Sequence, residues 1–259
     1  MFSLEIECPP EGHDMLIADL WAEGSAGIVE LDDGGLRAFF EDDADRGALA
    51  ARFHARNWRQ EEERDWVAES RAGWEPLLVG DRFFLVPGWR SDAAPEGRFR
   101  IVVNSGMAFG TGMHETTQLC LEALEAYIRA GTPVLDVGTG TGILAQAAGL
   151  LGAWPVWACD IDPEAIEIAR GNAGPNAYLG SVDAARSGAL GLIVANISPE
   201  AITRLARDLM RGLRPGGMAL VSGFERHEAP AVAEEFARCG GRVCETRYKR
   251  TWALVAVRR

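Results

Sequence analysis

Lysine is almost missing from this chain: Lys249 is the one lysine in 259 residues, and arginine supplies every other strongly basic side chain. A phosphate loop of the G-x-x-x-x-G-K-[ST] kind is therefore excluded at the glycine-rich stretches. Long apolar runs are absent too. No stretch approaches the roughly 18–20 uninterrupted apolar residues of a membrane span. The start, Met1-Phe2-Ser3-Leu4-Glu5-Ile6-Glu7, has early acids and no basic segment, so no signal peptide and no membrane association are expected. Cysteine is sparse and unpaired: five residues, an odd number, with no C-x-x-C. That pattern predicts reduced thiols in the cytoplasm and excludes a disulfide framework. Cys239 and Cys244 are the closest approach to a metal pair, and the four scattered histidines do not complete one; no metal is expected.

What is present is an ordinary globular composition, 47% hydrophobic and 25% charged, in a chain long enough for one large domain or a large and a small one. The net charge of -12 is placed unevenly. Residues 1–80 hold 19 acids against 7 arginines, whereas residues 81–259 balance 19 acids with 19 bases. An acidic N-terminal end repels nucleic-acid backbones and attracts a basic partner, chiefly through encounter rate and orientation.

The first 60 residues read as β-α-β-β-α-β. Phe2 to Cys8 alternates like a half-buried strand, and Glu11 to Glu23 carries an apolar face at helical spacing. Ala26 to Leu31 and Leu36 to Phe40 are strands joined through Asp32-Asp33-Gly34-Gly35, the residues a hairpin turn needs. Asp45 to Arg56 is a helix and Trp58 to Glu61 a short last strand. This order is that of a small ferredoxin-like α+β domain, and it contains no chemical constellation. Residues 61–76 are strongly charged with aromatic interruptions and predict a helical linker broken by Pro76. The remainder, 77–259, forms the larger domain, with early strands at Arg82 to Val86 and Phe99 to Val103.

The larger domain is organised around Val134-Leu135-Asp136-Val137-Gly138-Thr139-Gly140-Thr141-Gly142. A short apolar run predicts a buried parallel strand, and glycines directly after it let the backbone turn and approach a ligand before a helix begins. The dinucleotide fingerprint G-x-G-x-x-G needs a third glycine where this chain has Ile143, which disfavours a nicotinamide enzyme. A second strand, Ala153 to Cys159, is followed by Asp160, placed where a carboxylate accepts hydrogen bonds from the two hydroxyls of a ribose. Asp162 with Pro163 starts the next helix. Leu190 to Ala195 is another buried strand, and Asn196 stands at its carboxyl end, the crevice where open α/β sheets place ligands. An Asn carbonyl there can orient an amine; capping the following helix is the plainer role. Leu213 to Gly217 reads as a turn before a strand at 218–223, and 227–238, 242–248 and 251–257 complete a helix and a closing antiparallel pair.

Asn104 to Thr117, NSGMAFGTGMHETT, is the second glycine-rich stretch. It places hydroxyls and His114 just before a helix expected over Gln118 to Arg129. His114 is either a general base or a polar residue at the helix start, and Thr117 lies where free backbone N–H groups receive a carboxylate.

AFGTGMHETT at 108–117, LDVGTGTGILA at 135–145, CDIDPEAI at 159–166 and VANI at 194–197 together resemble the ribosomal protein L11 methyltransferase family (PrmA). Asp65-Trp66 and FFLVPGW at 83–89 extend the resemblance over residues 60–259. Relatives have Asp-Pro-Gly where this chain has Asn104-Ser105-Gly106, a departure at the entry of the loop. The resemblance implies a class I methyltransferase, a Rossmann-like doubly wound α/β sheet, using S-adenosyl-L-methionine. It implies cofactor contacts at Phe109, Thr117, Gly138, Gly140, Gly142, Asp160 and Asn196, with Asn196 also at the chemistry. It further implies, as substrate, a basic ribosomal protein methylated at its N-terminus and lysines. The acidic first domain would be the recognition arm of a monomer that binds no nucleic acid. A methyltransferase for lysines of another protein, such as an electron-transfer flavoprotein, would share every motif, and a non-catalytic module would keep the fold alone. A chain with one lysine also offers a lysine-modifying enzyme few targets on itself.

Overall fold

The computed structural model describes residues 1–7, 13–31, 34–61, 75–103, 114–174 and 176–259. The chain divides into two compact units, Met1–Trp74 and Glu75–Arg259.

In the first unit the strands are β1 (Phe2–Ile6), β2 (Gly27–Glu30), β3 (Leu36–Phe40) and β4 (Asn57–Gln60), with helices α1 (His13–Ala22) and α2 (Arg46–Arg52) between them. The sheet order β2-β3-β1-β4, antiparallel throughout, is the ferredoxin-like arrangement. Its core gathers Phe2, Leu4, Ile6, Leu20, Leu36, Ala38, Phe40, Leu49 and Phe53. The Asp45 side chain caps α2 by accepting the Ala48 N–H at 3.0 Å. β1 departs from the half-buried expectation, because it is an inner strand and both of its faces are covered. Glu5 is buried there and pairs with Arg37 at 2.6 Å and Arg59 at 3.1 Å. The Arg37 hydrogen bond holds its carboxyl below the usual glutamate range. Asp32-Asp33 and residues 62–74, including Asp65-Trp66 and most of the expected linker, lie outside the described residues.

The second unit opens with a three-stranded sheet, β5 (Leu77–Val79), β6 (Phe83–Pro87) and β7 (Phe99–Val103). Three residues after Pro76 were too short a run for the alternation pattern to mark, so β5 emerges only from its antiparallel pairing with β6. Then come α3 (Glu115–Tyr127), β8 (Val134–Val137), α4 (Ile143–Leu150), β9 (Val156–Asp160), α5 (Pro163–Ala173), β10 (Ala177–Leu179), β11 (Leu190–Asn196), α6 (Pro199–Gly212), β12 (Leu213–Glu225), α7 (Ala229–Arg238), β13 (Arg242–Lys249) and β14 (Trp252–Arg258). The seven strands are ordered β10-β9-β8-β11-β12-β14-β13. β8 to β12 run parallel, while β14 is antiparallel to both β12 and β13. Two apolar clusters pack the sheet: α3 and α4 supply side chains to one, α6 and α7 to the other.

The expected turn at Leu213 to Gly217 lies inside β12. Leu213 pairs with Leu190 and Met218 with Leu192, so the residues between them bulge out of register without ending the strand. Pro215 and the positive φ of Gly216 (79°) provide a bend with the residue signature of a turn.

Strand order reverses between β8 and β11. The chain builds outward from β8 to β9 and β10, then crosses back to β11 on the other side. Such a switch point opens a crevice at the carboxyl ends of the central strands.

Candidate active site

Register brings the site together. Val137 pairs with Cys159 on one side and Ala195 on the other, so Gly138, Asp160 and Asn196 are the next positions on three adjacent strands. Residues 22 and 58 apart in sequence thus meet across strands spaced about 4.8 Å apart.

The glycine loop is built by short-range requirements. Gly138 has φ +69°, and a Cβ there would lie 2.2 Å from Ile197 Cγ2. Gly142 has φ +81° at the start of α4, where a Cβ would press to 3.1 Å from the Ala169 Cα of α5. A larger residue at either position strains the backbone and collides as well. Gly140 serves through its amide, which donates to Asp160 Oδ2 at 2.9 Å. The other oxygen of Asp160 accepts the Asp162 N–H at 3.1 Å. Asp160 therefore clamps the loop to β9, with further lone pairs left for a ligand. Asp162 caps α5, accepting the Glu164 N–H at 2.9 Å, with Pro163 in the first turn as the sequence predicts.

Asn196, half-buried at the end of β11, donates from Nδ2 to Thr117 Oγ1 at 3.3 Å. That bond commits the amide N–H₂ and leaves the Asn196 carbonyl to accept from a second donor. Capping of α6 falls to Ser198, whose Oγ accepts the Ala201 N–H, so Asn196 is not the helix cap. Thr117 is buried in the first turn of α3, which begins at Glu115, three residues earlier than the pattern implied. His114 is the N-cap of α3. Its Nδ1 lies 2.8 Å from Thr116 Oγ1, and its ring meets Trp252 edge-on with centroids 4.5 Å apart. Phe109 and the rest of the loop 104–113 lie outside the described residues.

Asp136 is a site residue that the sequence reading left unassigned. It is fully buried on β8, two residues before Gly138. Oδ2 accepts the Thr139 hydroxyl at 2.6 Å and the Ala145 N–H at 3.1 Å, whereas Oδ1 has no partner. Burial pushes its carboxyl up to about 7 against the pull of those two hydrogen bonds, and Asp160 adds to the rise. An acid closing an otherwise apolar run was the available signal.

A doubly wound sheet with an antiparallel seventh strand and this glycine loop at the switch point defines the class I methyltransferase fold. The profile described as "Ribosomal protein L11 methyltransferase (PrmA)" matches residues 12–259, and the chain belongs to that family. Among similar proteins, the ribosomal protein L11 methyltransferase of Symbiobacterium thermophilum is 44% identical over 182 residues, covering 68% of this chain and 60% of the relative. That of Pelotomaculum thermopropionicum is 39% identical over 203 residues, covering 76% and 66%. The crystal structure of a ribosomal protein L11 methylase from Lactobacillus delbrueckii subsp. bulgaricus superposes with a TM-score of 0.66 at 30% identity, covering 71% of this chain and 98% of that one. The matched region thus spans less than two thirds of the curated relatives' length.

Proposed function

We propose that the chain transfers methyl groups from S-adenosyl-L-methionine to amino groups of ribosomal protein L11, the lysine side chains and the N-terminal amine. The observation that carries this reading is the convergence of Gly138, Asp160 and Asn196 at the switch point, with Asn196 held by Thr117. The donor set fits the cofactor. Asp160 and the Asn196 carbonyl are acceptors, matching a ligand that carries a ribose diol and a cationic methionine part. Asp160 would receive the diol, the Gly138–Gly142 loop would lie against the methionine part, and Phe109 and Thr117 would complete the contacts.

When bound, the cofactor supplies an electrophilic methyl whose carbon–sulfur bond breaks as the nitrogen–carbon bond forms. The protein's share is to hold a neutral amine in line with it. No covalent enzyme intermediate is required, so positioning supplies most of the catalysis. Asn196 Oδ1 would accept an amine N–H and aim the nitrogen lone pair. A lysine amine, ordinarily near a pKa of about 10.4, must first lose a proton; desolvation and a neighbouring cation both lower that value. An N-terminal amine, near about 8, needs less help. The acidic first unit would recognise the basic substrate, with the enzyme acting as a monomer in the cytoplasm and without nucleic acid. Among the described residues, no helix is long and apolar enough to cross a membrane.

Mass spectrometry of ribosomal protein L11 incubated with this protein and S-adenosyl-L-methionine tests the reading. Methyl increments are expected, and Asn196→Ala should slow them about a hundredfold, the scale of misplacing a reacting group. Cofactor binding without increments would move the substrate to another basic protein. Absence of cofactor binding would leave a non-catalytic module.

A further inference from the structure

A chain of contacts runs from the far edge of the sheet into the site. The β13–β14 hairpin turns at Arg250, which adopts φ +52° and pairs with Glu115 at 3.0 Å. Two residues on, Trp252 meets the ring of His114 edge-on. Lys249, on the other side of the turn, pairs with Glu122 at 2.8 Å. Three successive or near-successive hairpin residues therefore grip α3, two of them at its first turn. The next links are His114 to Thr116, then Thr117 Oγ1 to Asn196 Nδ2.

We propose that His114 and Trp252 form a brace that positions Thr117 and Asn196, and that His114 transfers no proton in the reaction. The inference rests on the methyltransferase reading above and assigns a role to two residues that the reading leaves idle. His114 Nδ1 faces the Thr116 hydroxyl and accepts the Thr116 N–H at 3.4 Å. Acceptance at Nδ1 puts the neutral ring's proton on Nε2, so no lone pair remains to take a proton from an amine. Protonation at Nδ1 would instead break the cap. Glu115, next to His114 in the chain, has its carboxylate paired with Arg250 at 3.0 Å. Trp252 enters as the first residue of β14, fixed by pairing to both β12 and β13, so it is a rigid wall. An edge-to-face contact with such a wall sets the ring plane, and the ring plane sets the first turn of α3.

The test is steady-state methylation of ribosomal protein L11 by the full chain, with amide hydrogen exchange of residues 118–121 measured in parallel. His114→Ala and Trp252→Ala should each lower kcat roughly tenfold, with the KM for the protein substrate changed less, and the double variant should be no slower than either single one. His114→Asn restores a good cap. It should recover most of the lost rate and keep the wild-type pH profile of kcat. Exchange at 118–121 should quicken in Trp252→Ala while the sheet stays protected. His114→Asn as slow as His114→Ala, with an altered pH profile, would overturn the proposal in favour of proton transfer. Multiplicative losses in the double variant would overturn it as well. Should the wild-type chain bind cofactor without methylating the ribosomal protein, the substrate reading fails on its own. Exchange alone then judges the brace, and unchanged protection in Trp252→Ala refutes it.

Discussion

At the scale of single residues, Asp136 shows how the fold sets a group's state. A carboxyl raised from 3.8 to about 7 keeps its proton in the folded protein over a range in which the unfolded chain has released it. Between about pH 4 and 7 the folded state thus binds more protons, and stability falls as pH rises through that window. Above about 7 both states are ionised and the loss is complete. Asp136→Asn cannot ionise and should remove this slope. Urea midpoints of both proteins at pH 5 and pH 8 measure it: the wild type should lose more stability between them than the variant does. Equal losses would mean that Asp136 is already ionised at pH 5. Asn196 is the contrasting case, a group without charge whose usefulness depends on which end of its amide is committed.

At the scale of elements, the site is held by helix starts. Asp162, Ser198 and His114 cap α5, α6 and α3, each beside a residue of the site, so the capping chemistry also sets where Asp160, Asn196 and Thr117 sit. Asp162→Ala should cost about 1 kcal/mol of stability, the usual worth of an N-cap side chain, read as a lower urea midpoint at unchanged m. A loss well beyond that would show that α5 also governs the packing of Ala169 against Gly142. Much at this scale was legible in the sequence. Asp162-Pro163 announced a helix start because a cap and a pre-set φ are local properties. The bulge in β12 was not legible: Pro215-Gly216 has the chemistry of a turn, and only pairing with β11 and β14 carries the strand through it.

At the scale of the whole molecule, the acidic excess and the candidate site are segregated. The excess of acids lies in residues 1–80, whereas Gly138, Asp160 and Asn196 belong to the second unit. Among the described residues, the first unit has its own buried cluster of nine apolar side chains and the second has larger ones, so each has the means to fold around its own core. Deleting residues 1–60 should therefore leave cofactor binding intact and, on the proposed function, sharply lower kcat/KM for ribosomal protein L11. Raising the salt concentration should narrow the difference, because exposed charges are screened over about 8 Å at physiological ionic strength. An unchanged kcat/KM at that ionic strength would remove the acidic unit from recognition.

Residue pattern alone is enough to read most of the order of elements, though not β5 or the continuation of β12, together with the glycine loop after β8, the acid closing β9 and the Asn closing β11. Each is written in a few neighbouring residues, through alternation, a cap or a positive φ, and local chemistry suffices to read it. That Thr117 turns the amide of Asn196, 79 residues away, follows from the folded arrangement. It alone buried Asp136 with one oxygen unpartnered, buried Glu5 on β1 against Arg37 and set Trp252 against His114. The physical reason is the same throughout. Burial, pKa and the orientation of an amide depend on atoms brought near by strand order and register, and those neighbours are distant in the chain.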